Sequence, residues 1–215
     1  MKLVKRIAAV LLCLAMFCSL AACSLEDPDN KNIVGTWCSE PVNFGDMLNE
    51  TMAGSDKEMA QYYDFSDVSL SFTYEFKEDK TYSTYVDEAD KTAFDDAVSA
   101  AISKGAEAQF GTIGADVNMT ADEVLEASGY GSIADFTKYL MEDLNAEAIA
   151  AEIETSGNWL VTGGKLISTD STEQSVADAG TYVLYKLDGD TLTFDVPEDY
   201  AGDDAFFYPL EFTRQ

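Results

Sequence analysis

The 215-residue sequence has no histidine, four prolines, four cysteines, and only 13 basic residues against 40 acidic ones. Without an imidazole there is no general base for a serine or cysteine nucleophile, and no histidine-ligated zinc. A net charge of −27 repels nucleic acid and anionic lipid surfaces, so no nucleic-acid partner is expected. No phosphate loop or dinucleotide fingerprint is present, and no cofactor is expected. The acidic clusters around Asp27 and Asp29, Asp188 and Asp190, and Asp199, Asp203 and Asp204 have no calcium-loop spacing, so no metal is expected either. Such a charge balance is common in disordered chains, but 47% hydrophobic and 12% aromatic residues provide a packed core.

Only one long apolar run exists, residues 7–20, and Lys2, Lys5 and Arg6 precede it. Small residues then lead to Cys23, the layout of a secretory signal peptide. A membrane-spanning helix needs about 20 apolar residues, and this run is shorter. Leu20-Ala21-Ala22-Cys23 resembles the lipobox of bacterial lipoproteins. That resemblance implies removal of residues 1–22, a lipid such as palmitate on Cys23, and a lipid-anchored place on the extracytoplasmic face of the cell membrane. Cys13 and Cys18 leave with the signal, so Cys38 remains as a lone thiol with no disulfide partner. Loss of the three basic residues leaves 10 against 40 acidic, so the domain is expected to stand off the bilayer.

Residues 23–32 are polar, contain Pro28, and read as a tether. The domain then spans 33–215. Residues 33–38 read as a first strand, and residues 42–63 as one or two short helices broken at Gly54-Ser55. Val68, Leu70, Phe72, Tyr74 and Phe76 alternate with polar residues, which predicts one strand over 68–77. Glu78-Asp79-Lys80 turns the chain into a strand at 81–86. Residues 88–155 are alanine-rich and read as a helical insertion. A first helix ends near Gly105 or Gly111, a short one starts at the capping box of Thr120 and Glu123, and a longer one runs from Ser132 to about Ile153. Strands resume at 159–162 and 165–169 around Gly163-Gly164, and at 181–187 and 191–196 around Asp188-Gly189-Asp190. A last strand is expected over 206–214, with Pro209 at an edge or bulge.

Eight strands joined as neighbouring hairpins predict an α+β chain of mainly β character: an up-and-down antiparallel barrel with a helical insertion at 88–155. Gly35, Trp37 and Arg214 resemble the lipocalin signature, and the chain as a whole is similar to lipocalin-like (calycin-type) lipoproteins of Gram-positive bacteria, a group without an assigned activity. The resemblance implies that Trp37 closes the barrel bottom and that Arg214 packs across its ring. Two departures are evident, the insertion after the third strand and the helices in the first connection.

The inward aromatic residues Phe72, Tyr74, Phe76, Tyr82, Trp159, Tyr185 and Phe194 are candidates for binding a small apolar or amphipathic ligand. The partners expected are thus the membrane, through Cys23, and a small hydrophobic ligand or an envelope protein. No catalytic residue is assigned. The alternatives are a filled barrel that acts as an interaction module, and an envelope hydrolase with paired carboxylates such as Asp95-Asp96 or Asp203-Asp204.

Overall fold

The computed structural model describes residues 27–55, 57–142, 144–179, 182–198, 200 and 207–215. The lipobox with Cys23, the first part of the expected tether, and Asp199, Asp203 and Asp204 lie outside the described residues. The chain forms two compact units, described separately below.

The first unit is a closed barrel of eight antiparallel strands: β1 (Gly35–Ser39), β4 (Thr73–Phe76), β5 (Thr81–Tyr85), β6 (Ser156–Thr162), β7 (Lys165–Ser168), β8 (Tyr182–Asp188), β9 (Thr191–Asp195) and β10 (Leu210–Arg214). Each strand pairs with its successor, and β1 closes the circle against β10, with Trp37 opposite Arg214. This is the up-and-down meander expected from the sequence. At one end the connections are tight. Gly163 and Gly164 turn β6 into β7 with φ of 56° and 76°, the left-handed conformation a two-residue turn requires. Gly189, with φ of 62°, and Asp190 turn β8 into β9. The other connections are long, and in chain order the segments of the helical unit fall between β1 and β4 and between β5 and β6.

Several boundaries differ from expectation. The continuous strand at 68–77 is two strands, β3 (Ser69–Leu70) and β4, separated by Ser71 and Phe72. β3 forms a two-residue ladder with β2 (Val42–Asn43), while β4 belongs to the barrel. Period-two alternation runs unbroken across both, and so conceals the change of sheet. The last strand begins at Leu210 rather than 206, directly after Pro209, which has no N–H for the ladder.

Residues 27–32 are not a free tether. Asp29–Asn32 form one helical turn, α1, and Asn30 is buried. β5 pairs with β6 only as far as Asn158, so the Val161 backbone beyond it lacks a strand partner on that side. The Asn30 side chain takes that place: Nδ2 donates to Val161 O at 3.1 Å, and Val161 N donates to Oδ1 at 3.3 Å. One amide thus satisfies both a donor and an acceptor that burial would otherwise orphan.

The helical unit comprises residues 43–70 and 88–149. α2 (Gly45–Ser55) and α3 (Lys57–Ala60) come from the first segment; α4 (Glu88–Val117), α5 (Ala121–Ala127) and α6 (Ile133–Met141) come from the second. α7 (Ala146–Ile153) follows in the chain before β6. α4 does not stop at Gly105 or Gly111. A Cβ on Gly105 would lie 2.3 Å from the Tyr63 ring, so glycine there permits a close approach that offsets its poor helix propensity. Tyr63 donates to Gln109 Oε1 at 2.8 Å, and burial pushes its phenol up to about 12.

The capping box at α5 forms as expected. Thr120 Oγ1 accepts from Glu123 N, and the Glu123 carboxylate accepts from Thr120 N. Ser132 caps α6 by accepting from Asp135 N. The single helix expected from Ser132 to Ile153 is two, however. Asn145 Oδ1 accepts from Ala148 N at the start of α7, while its Nδ2 donates to the Met141 and Glu142 carbonyls at the end of α6. Asp95 adds an acceptor for Ala146 N at 2.6 Å. The apolar periodicity continues through this break, but the hydrogen bonds end one helix and begin another.

No helix among the described residues is long and apolar enough to cross a membrane.

Candidate functional site

The tight-turn end of the barrel is sealed by side chains. Trp37 is fully buried and donates from Nε1 to Ile33 O at 2.7 Å. The Arg214 guanidinium lies 4.1 Å from the centroid of its ring, in cation–π geometry. It also donates to the Val34 and Asn32 carbonyls. Gly35 sits at φ 139°, and a Cβ there would lie 2.7 Å from Arg214 Nη1. The glycine, the tryptophan and the arginine are therefore one packing unit. Trp159 belongs to the same end: its Nε1 donates to Thr81 O at 2.9 Å, and the Lys80 ammonium stands 4.2 Å over its ring. Tyr185 also turns that way and donates to Asp29 Oδ2 at 3.0 Å. Its phenol is raised by desolvation first and by that hydrogen bond second.

Deeper inside, Phe72, Tyr74, Phe76, Tyr82 and Phe194 converge as the sequence suggested, together with Phe212, which the sequence reading left out. Tyr74 is the hub. Its ring packs against Phe76 at 5.4 Å, Phe194 and Phe212 at 5.5 Å, Tyr82 at 6.0 Å and Phe72 at 6.1 Å. Phe212 could have been found from Arg214 alone, since residues two apart on a strand share a face. Trp159 touches the cluster only through Phe76, and Tyr185 makes no ring contact with it among the described residues.

The polar groups of this interior divide sharply. Tyr82 donates to Thr169 O at 2.9 Å, and Thr84 Oγ1 donates to Ile153 O while accepting from Thr155 N. The Tyr74 hydroxyl forms no hydrogen bond among the described residues. Desolvation, with Tyr82 and Tyr208 nearby, raises the Tyr74 phenol far above the ordinary value. It is a protonated donor at any physiological pH. Yet Tyr74 keeps partial exposure, while Phe76, Tyr82, Phe194 and Phe212 around it are buried. Tyr74 thus combines partial exposure with a hydroxyl that has no partner among the described residues, amid packed aromatic rings.

Other candidates carry less. A polar cleft of about 540 Å³ lies at the closed end between Asp29, Lys31, Asp190 and Arg214, but its guanidinium is already committed. Asp95 of the Asp95-Asp96 pair serves the start of α7, and Asp96 is exposed. Asp190 pairs with Arg214 at 3.5 Å. Among the described residues no three cysteine or carboxylate side chains group to hold a metal. Cys38 is half-buried on β1 as a free thiol.

No family model, curated protein or solved structure matches the chain. Its eight-stranded antiparallel barrel with a helical insertion is consistent with a calycin or lipocalin-like fold in general.

Proposed function

We propose that this chain is a lipid-anchored protein of the extracytoplasmic membrane face whose barrel binds a small apolar or amphipathic ligand without transforming it. The partly exposed Tyr74 inside an aromatic barrel is the observation that supports binding. Aromatic walls supply the apolar contact area, and one placed hydroxyl supplies orientation. A neutral fluorescent probe, N-phenyl-1-naphthylamine, should bind saturably and one-to-one. Tyr74→Trp fills the accessible space and should weaken the probe at least about tenfold, with unchanged circular dichroism. Non-saturable binding, or binding indifferent to Tyr74→Trp, would refute the reading.

A second reading, a filled barrel that serves as an interaction module, draws support from the dense ring packing. Phe194 and Phe212, for example, have centroids 4.9 Å apart. The same titration separates the two, because a filled barrel gives no saturable signal.

The anchor rests on the basic, apolar and small-residue segments that lead to Cys23. Cys23→Ala should move the protein into the aqueous phase of a detergent partition, or leave an uncleaved precursor. Unchanged membrane association with cleavage after residue 22 would remove the lipid from the proposal. One acyl chain gives only marginal membrane binding, so stable anchoring requires a second chain or a further signal.

A further inference from the structure

We infer that the barrel's ligand is an uncharged amphiphile with a hydrogen-bond acceptor oxygen, and that carboxylate-headed lipids are excluded. The inference rests on the binding reading above and concerns the head group such a ligand must have. Beyond Lys2, Lys5 and Arg6 the chain has 10 basic residues, and each has a described position. Lys31, Lys57, Lys77, Lys104, Lys138 and Lys186 are exposed. Lys91 pairs with Glu147 in the helical unit. Lys80 and Arg214 lie over Trp159 and Trp37 at the closed end, and Lys165 stands over the Tyr182 ring at 3.8 Å. None of them faces the Tyr74 cluster.

An anion entering that interior would lose its hydration and meet no counter-charge, which is among the costliest transfers in protein chemistry. The acidic surface, with a net charge of −27, repels it on approach as well. Within the aromatic cluster the Tyr74 hydroxyl is a donor without a partner among the described residues, and burial holds its proton in place. A donor calls for an acceptor: an ester, ketone, amide or ether oxygen reaches it without bringing a charge. An ammonium head is donor-only and cannot use the same proton. Ring faces attract a cation, but they leave the phenol unpaired.

Displacement of N-phenyl-1-naphthylamine by three ten-carbon compounds tests this: methyl decanoate, decanoate and decylammonium, at neutral pH and constant ionic strength. Methyl decanoate should compete at least about thirtyfold more tightly than decanoate, and more tightly than decylammonium. Tyr74→Phe keeps the ring and removes the donor. It should weaken methyl decanoate about fivefold more than it weakens the probe, which brings no acceptor oxygen to the phenol. Decanoate or decylammonium binding as tightly as the ester would overturn the inference while leaving the barrel reading intact. An ester affinity indifferent to Tyr74→Phe would do the same. If neither the probe nor any of the three binds, the barrel reading fails and the inference falls with it.

Discussion

Trp37→Ala is expected to lower the free energy of unfolding by about 3–5 kcal/mol, the range for truncating a large buried aromatic. Trp37 is 0% exposed and meets no water to compensate the cavity. Its loss also strands the Ile33 carbonyl that accepts from Nε1. Arg214→Ala should cost less, because the arginine is half-exposed and its partner Asp190 is a solvated carboxylate. What the two share is the ring face. Arg214 bridges the seam between first and last strands by holding the Val34 carbonyl while covering Trp37. A double-mutant cycle read by urea denaturation should therefore give a coupling energy of about 0.5–2 kcal/mol. Zero coupling would mean that each residue acts alone, and the seam is held by backbone pairing.

The readable parts of this fold were those with local punctuation. Gly163-Gly164 and Asp188-Gly189-Asp190 mark turns whose backbone only such residues adopt readily, and alternation on either side sets which face is buried. The Gly35, Trp37 and Arg214 constellation was legible through resemblance, and the structure supplies its physical reason in the 2.7 Å approach to Nη1. What escaped was decided by partners distant in sequence. Alternation from Val68 to Phe76 says which side chains share a face, but not that the chain leaves one sheet for another at Ser71. Gly105 ends a helix on propensity alone, and only the Tyr63 ring makes it an interior position. Asn30 looks like linker until the unpaired stretch of β6 is known. In the candidate site, the aromatic set was legible from period two, apart from Phe212. Tyr185 and Trp159 were on the right face, but their polar atoms are bound at the closed end. Tyr74 stood out only once the hydrogen bonds of its neighbours were known.

Replacing residues 88–153 alone by a short Gly/Ser loop is expected to produce an insoluble protein, whereas replacing 44–70 and 88–153 together should leave a folded barrel. The sequence presents 88–155 as a helical insertion without a large core of its own. The structure makes it half of a unit whose other half is 43–70. Phe44 meets Phe94 edge-to-face at 6.1 Å, Tyr63 bonds Gln109, and the Tyr63 ring lies against Gly105 of α4. Phe44, Leu48, Tyr63 and Phe65 are at most 6% exposed. Removing α4 would present a contiguous apolar surface from these residues, at roughly 25 cal/mol for every Å² returned to water. α2 and α3 are too short to persist without that packing. The double replacement removes both halves and with them this apolar surface of the helical unit. Trp37 and Trp159 both belong to the barrel unit, so their blue-shifted emission and near-ultraviolet dichroism report its packing directly. Soluble yield and these signals should separate the two variants. If the single replacement proves as soluble and cooperative as the double, then 43–70 does not need α4. If the double replacement loses the tryptophan signals, the barrel itself depends on the helical unit.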